Sequence, residues 1–193
     1  KSFVFLLNYK SENIINFLNV QKDFLLKNCN VEWVIEKNKL GSGGAVLNAI
    51  NELKLKNNFL LVNGDTWIGG EMNKIINSSV PSVAVIYLQN ISRFGSVNFN
   101  KLNKVIDFDE KKQSNEGGWI NAGLYKLNPI NFKYLTSISF SLEKDLLMNL
   151  SKNNDLNSVK LSCEFIDIGI PNDYFLFTKK IKQINELKKL SNL

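Results

Sequence analysis

Short apolar runs alternate along this chain with stretches whose apolar residues recur at helical spacing, and that alternation sets the expected elements. FVFLLN (3–8) reads as a buried strand. SENIINFL follows as a helix, with Ser11 as its N-cap and Ile14, Ile15 and Leu18 at helical spacing. VEWVIE (31–36) is the next strand, followed by the glycine loop LGSGG and the helix AVLNAINEL. FLLV is a third strand, closed by the tight polar turn Asn63-Gly64-Asp65; a short helix at 71–77 and a fourth strand, SVAVIYLQ, come after it. Strands alternating with helices at this spacing predict an α/β fold with a mainly parallel sheet and crossover helices.

From Phe94 the rhythm changes. RFGSVNFN, KVIDFDEK and WINAGLYKL are strand-like runs joined by short polar turns, expected as antiparallel additions to the sheet or a small flap over its edge. Two helical segments follow at 129–135 and 141–150, then the strand VKLSCEFIDIG. TKKIKQINELKKLS closes the chain as an amphipathic helix with Ile181, Ile184, Leu187 and Leu190 at helical spacing and a solvated basic face. No internal repeat and no Pro-, Gly- or Ser-rich linker interrupts the pattern, so one domain over 1–193 is expected.

Composition narrows the chemistry. With 44% hydrophobic residues the chain can bury a core. Histidine is absent, which removes imidazole bases, His-dependent triads and the common zinc sites. The two cysteines, Cys29 and Cys163, lie far apart, so a reducing cytoplasm is the expected compartment and a metal here needs oxygen ligands, as Mg²⁺ does. The net charge of +6 suits an anionic substrate, but the lysines are scattered instead of concentrated with aromatics, which argues against nucleic acid. No apolar run reaches the ~18 residues of a membrane span, and no signal peptide is visible at the start.

Three clusters could carry chemistry. LGSGGAV matches neither the P-loop nor the dinucleotide fingerprint, yet Gly41, Gly43 and Gly44 follow a strand and open a helix. Glycines there let a ligand approach and leave amides free at the helix terminus; a plain strand-to-helix turn is equally compatible. Asp65 ends one strand and Asp167 lies near the end of another, so the two acids either share a divalent cation or each order their own turn. Glu110 and Lys111, adjacent at a strand end, suit a sugar hydroxyl and a phosphate, or simply water; Asn121 and Gly123 are unusual inside an apolar strand unless something approaches the backbone.

Taken in order, EKNKLGSGGA, LLVNGD, FGSV, FDEK, NAGLY, FSLEKD and FIDIGIPNDY resemble the sugar-1-phosphate nucleotidylyltransferases. The LGSGGA and NGD pair is most similar to the branch of the heptose 1-phosphate guanylyltransferases. The resemblance implies a three-layer, Rossmann-like nucleotide-diphospho-sugar transferase fold with a small antiparallel flap. It implies Asp65 and Asp167 as Mg²⁺ ligands and Lys111 as the lysine that steadies the sugar phosphate. Glu36, Gly41, Ser42, Gly43 and Gly64 fall at nucleotide-binding positions, and Gly95, Glu110, Asn121 and Gly123 at sugar-binding ones. The implied reaction joins an NTP to a sugar 1-phosphate and releases pyrophosphate, without a protein nucleophile. GTP is favoured because a carboxylate at position 36 only accepts hydrogen bonds, and guanine offers two neighbouring donors. Homo-oligomers are compatible with the resemblance.

One departure stands out. The family opens on a strand and a GGxGTRL-type segment followed by Pro-Lys, which grips the triphosphate and supplies an arginine and a lysine; nothing in this sequence takes those roles. Without that strand, two parallel strands keep unpaired edges and apolar surface is exposed. The chain is expected to be part of a longer protein, to be completed by another chain, or to be a non-catalytic relative. The alternatives in function are therefore a nucleotide- or sugar-phosphate-binding pseudoenzyme or regulatory subunit, and a metal-dependent glycosyltransferase. The last is disfavoured because NGDTW lacks a second acid.

Overall fold

The structure is a computed structural model that describes residues 1–109 and 116–190. In chain order its elements begin β1 (Ser2–Leu7), α1 (Ser11–Gln21), β2 (Asn30–Ile35), α2 (Gly41–Glu52), β3 (Phe59–Val62), β4 (Thr66–Ile68), α3 (Met72–Ile76) and β5 (Ser82–Leu88). They continue as β6 (Ser96–Phe99), β7 (Val105–Asp109), β8 (Gly118–Leu127), α4 (Met148–Lys152), β9 (Asn157–Leu161), β10 (Phe165–Asp167) and α5 (Pro171–Leu190). A 3₁₀ turn at Pro129–Phe132 and a π-helical turn at Leu142–Leu147 lie between β8 and α4. These elements group into two compact units, Lys1–Asn57 with Asn128–Leu150, and Asn58–Leu127 with Ser151–Leu193. Among the described residues no helix is long and apolar enough to cross a membrane.

In the first unit β1 and β2 run parallel, in register from Ser2↔Asn30 to Leu7↔Ile35. Parallel neighbours need a crossover, and α1 supplies it. Leu7, Leu18, Val34, Ala45, Val46, Ala49 and Ile50 are buried. The predicted cap at Ser11 is displaced by one residue: Lys10 takes the N-cap position at φ 54, without a side-chain cap bond. The glycines expected in a loop before the second helix are instead its first turn, because α2 begins at Gly41. Packing explains them. The amides of Gly43 and Gly44 donate to the Phe140 carbonyl at 3.1 and 3.3 Å, and the Phe140 amide donates to Leu40 O at 2.9 Å. A Cβ on Gly41, which sits at φ +73, would stand 2.5 Å from the Phe140 carbonyl oxygen, and one on Gly44 would stand 2.4 Å from that of Ile138.

In the second unit the ten-residue β8 joins the sheet antiparallel, the first of the two outcomes the sequence left open, and it lies at the centre of that mixed sheet. Its side chains are mostly buried on both faces, which only a central strand can satisfy. β5 pairs antiparallel with it, and β3 does likewise from Phe59↔Leu127 to Val62↔Leu124. β9 runs parallel to β5, and β6 and β7 extend the sheet antiparallel. Ile75 of α3 packs on one face with Ala84, Ile86, Ile91, Ile120, Ala122, Leu124 and Leu161. The run expected as one strand, VKLSCEFIDIG, breaks into β9 and β10, and β10 leaves the main sheet to pair with β4. Among the described residues β1 pairs only with β2 and β3 only with β8, and Phe3, Val4, Leu60 and Val62 are exposed.

Gly44→Ala is expected to destabilise the protein by about 1–3 kcal/mol despite the better helix propensity of alanine, because the methyl meets a backbone carbonyl that cannot rotate away. Urea denaturation of the two proteins measures the difference.

Candidate active site

Two acids far apart in sequence meet through a three-residue ladder. β4 and β10 pair antiparallel, with Thr66↔Asp167, Trp67↔Ile166 and Phe165↔Ile68 in register, and the Ile168 amide donates to Asp65 O at 2.8 Å. Asp65 and Asp167 therefore leave the same end of the ladder. Asp167 Oδ1 lies 2.9 Å, and Asp65 Oδ2 3.7 Å, from the point a Cβ on Gly169 would occupy. Gly169 thus keeps open the space that both carboxylates face. Asp65 is exposed and Asp167 half-buried, so this space opens to solvent. The Gly169 amide donates to Asp167 Oδ1 at 2.9 Å and orients that carboxylate.

The turn that carries Asp65 is seated by β8. Gly123 adopts φ +66, a conformation glycine takes without strain. A Cβ on it would come 2.7 Å from the Asn63 amide nitrogen, so the Asn63 side chain lies directly against the Gly123 backbone. The Asn63 backbone N–H also donates to Gly123 O at 2.9 Å. What approaches the backbone at this unusual strand glycine is thus the Asn63-Gly64-Asp65 turn. Asn121, two residues earlier, accepts from the Gly123 amide at 3.0 Å and donates to the Tyr125 hydroxyl at 2.9 Å. Gly95 is required by the close approach of β7, since a Cβ there would meet Asp109 O at 2.9 Å. Gly64 has open space around it, and nothing in the structure explains it.

In the first unit Glu36 directly follows β2, half-buried, with Oε2 accepting from the Leu40 amide at 3.0 Å. That bond holds the carboxylate and leaves its remaining lone pairs to accept from a ligand. Ser42 Oγ accepts from the Leu142 amide at 2.9 Å and donates to Glu143 Oε2 at 3.1 Å. The expectation of free amides at this helix terminus is corrected for Gly43 and Gly44, whose N–H groups are committed to Phe140 O. Glu110 and Lys111 lie outside the described residues.

The donor set fits a hard cation. Asp65 and Asp167 offer carboxylate oxygens at one place, and Mg²⁺ is typically held by one or two carboxylates with substrate phosphates and water completing the shell. Among the described residues no cluster of three or more His, Cys, Asp or Glu forms. Burial pushes the Cys163 thiol pKa up, and Sγ donates to Gly70 O at 3.4 Å. Glu71 holds the crossover to β10. It bonds Lys74 and accepts from the Ser162 amide at 2.6 Å, and these two contacts keep its carboxyl below the usual range. Its contribution is present above the unfolded pKa and is lost as pH falls through the lowered one. The elements that sequence patterning missed, β4 and the break at 162–164, are the ones that create the acid pair. The β-branched and aromatic run Thr66-Trp67-Ile68 was the available signal.

Residues 1–184 match the family profile described as "Nucleotidyl transferase". The chain is 32% identical over 179 residues to D-glycero-alpha-D-manno-heptose 1-phosphate guanylyltransferase of Campylobacter jejuni, covering 92% of this chain and 77% of that one. It is 31% identical to the bifunctional protein GlmU of Methanococcus maripaludis, and there it spans only 40% of the relative's length. Among solved structures it superposes on HddC from Yersinia pseudotuberculosis complexed with GMP-PN at a TM-score of 0.78, with 28% identity, covering 92% of this chain and 77% of that one.

Gly169→Ala tests the acid pair without removing a carboxylate. Its methyl would press on Asp167 Oδ1 and occupy the space shared with Asp65, so the affinity of the pair for a divalent cation, read by Mn²⁺ titration, is expected to fall by about tenfold or more. The thermal midpoint should hold within a few degrees, because the position is exposed.

Proposed function

The chain belongs to the nucleotidyl transferase family, and from that premise we propose that it transfers a nucleotidyl group from an NTP, GTP in preference, to a sugar 1-phosphate. An oxygen of the sugar phosphate attacks the α-phosphorus in line. A new phosphorus–oxygen bond forms there, the bond to the β-phosphate oxygen breaks, and pyrophosphate leaves with the electron pair. No protein nucleophile takes part, in keeping with a chain that has no histidine. The observation that carries the proposal is the convergence of Asp65 and Asp167 on one solvent-facing space.

Asp65 and Asp167 are the residues that would hold Mg²⁺. Bound there, the ion neutralises charge on the phosphates and orients them. The rest is positioning. Glu36, fixed by the Leu40 amide, accepts from the ring N–H and exocyclic amine of guanine, an edge that uracil and thymine lack. Gly41 and Ser42 keep that turn closed against Phe140 and Leu142 and shape the base site. Asn121 and Gly95 line the sugar side of β8 and β6, with Glu110 and Lys111 taking a sugar hydroxyl and the sugar phosphate. The guanylyltransferase relative and the HddC complex with GMP-PN support the preference for guanine. The product is a nucleotide sugar, made in the cytoplasm where its substrates are, for surface polysaccharide.

Release of pyrophosphate by the full-length protein, offered each NTP with a panel of sugar 1-phosphates and Mg²⁺, tests the proposal. Release with GTP and at least one sugar phosphate is expected. Binding of both substrates without release under any condition supports the pseudoenzyme instead. Asp65→Asn and Asp167→Asn should each lower release by about a hundredfold or more. Glu36→Gln should reduce the kcat/KM preference for GTP over the other NTPs by about tenfold or more; an unchanged preference removes Glu36 from base selection.

A further inference from the structure

Arg93 is the only arginine in the chain, and nothing assigned so far uses it. It lies in the turn between β5 and β6, its guanidinium carbon 5.4 Å from the ring centroid of Phe94. Phe94 in turn packs edge-on against Phe165 of β10 with ring centroids 5.7 Å apart. The guanidinium reaches two acids. Nη1 bonds Oδ2 of Asp173 in the first turn of α5 at 2.5 Å, and Nη2 stands 3.8 Å from Oδ2 of Asp167.

The two oxygens of Asp167 therefore face different neighbours. Oδ1 takes the Gly169 amide and faces the space shared with Asp65, while Oδ2 faces the guanidinium. At 3.8 Å, with Arg93 42% and Asp167 29% exposed, the second contact is a weak, solvent-screened ion pair. The contact to Asp173 is the shorter of the two.

We propose that Arg93 is the resident counter-ion of the Asp65–Asp167 pair in the free protein. Its charge offsets part of the repulsion between the carboxylates and opposes entry of a bare divalent cation. The polyanionic tail of the nucleotide reverses that balance, so the metal is taken up together with the triphosphate and is not held beforehand. Arg93 is thus a positioning residue that couples metal binding to nucleotide binding. The inference rests on the metal role proposed above for Asp65 and Asp167.

Mn²⁺, a paramagnetic substitute for Mg²⁺, reads this directly by titration under electron paramagnetic resonance, with no turnover required. The full-length protein is titrated with and without a non-hydrolysable GTP analogue, as wild type, Arg93→Met, Arg93→Lys and Asp173→Asn. Without nucleotide, Arg93→Met should bind Mn²⁺ about five- to tenfold tighter than wild type, the order expected when one positive charge is removed beside a divalent site in near-aqueous dielectric. Arg93→Lys, which keeps the charge, should stay within about twofold of wild type. Asp173→Asn removes a negative charge and should weaken binding several-fold. The strengthening that the nucleotide analogue brings should be smaller in Arg93→Met than in wild type.

A purely structural Arg93, bracing the turn against α5, would shift Arg93→Met and Asp173→Asn in the same direction. That result, or unchanged Mn²⁺ affinity in a folded Arg93→Met protein, overturns the proposal. If Arg93→Met does not fold, unchanged affinity in Asp173→Asn overturns it equally. Failure of all four proteins to bind Mn²⁺, even with the nucleotide analogue, overturns the metal role itself and this inference with it. That outcome is distinct from a metal that binds but ignores Arg93.

Discussion

Two carboxylates facing one space repel each other, and the antiparallel pairing of β4 with β10 is what holds them there. The ladder has only three residues, yet it places Thr66 opposite Asp167 and leaves Asp65 one step beyond, tied by the Ile168 amide. Such a short ladder is weak alone. It is supported from below by Phe165, Ile68 and Cys163, which pack against the core of the second unit, and from the side by Lys180, which bonds Glu164 and lies over Trp67. The like-charge cost that remains is of the kind a divalent cation or a nearby guanidinium offsets. The geometry of the site and its charge are thus one problem with one solution.

Glycines carry much of the precision. Gly123 lets the Asn63 side chain lie against the backbone of β8 and so sets where the Asp65 turn begins. Gly169 keeps a methyl out of the space between the acids. In the first unit Gly41 and Gly44 let the backbone of residues 138–140 pass over the first turn of α2. Each is a position where backbone meets something closely, and in each case the first partner is the protein itself. A glycine-rich stretch beside a candidate site is therefore as much a packing device as a ligand cradle.

The charged groups are likewise placed by specific partners. Glu36 is held by one backbone amide with accepting capacity to spare, which suits a base edge with two donors. Arg93 balances acids on either side of it, Asp167 and Asp173. A transfer that runs without a protein nucleophile does not call on the histidine this chain lacks.

Continuous apolar runs located β1, β2, β3 and β5, and helical spacing located the first helices between them, because these signals are local to the chain. The order of short motifs along the chain determined the family, and the residue types excluded imidazole chemistry. The tertiary structure alone decided that Thr66–Ile68 is a strand, that the apolar run after Asn157 breaks before Phe165, and that β8 is central. It alone decided that the glycines of α2 spend their amides on Phe140. The physical reason is common to all four. A three-residue strand, a mid-run break, a strand's place in the sheet and the partner of an amide are set by what lies opposite, and the opposite residue is far along the chain, where no local pattern reaches.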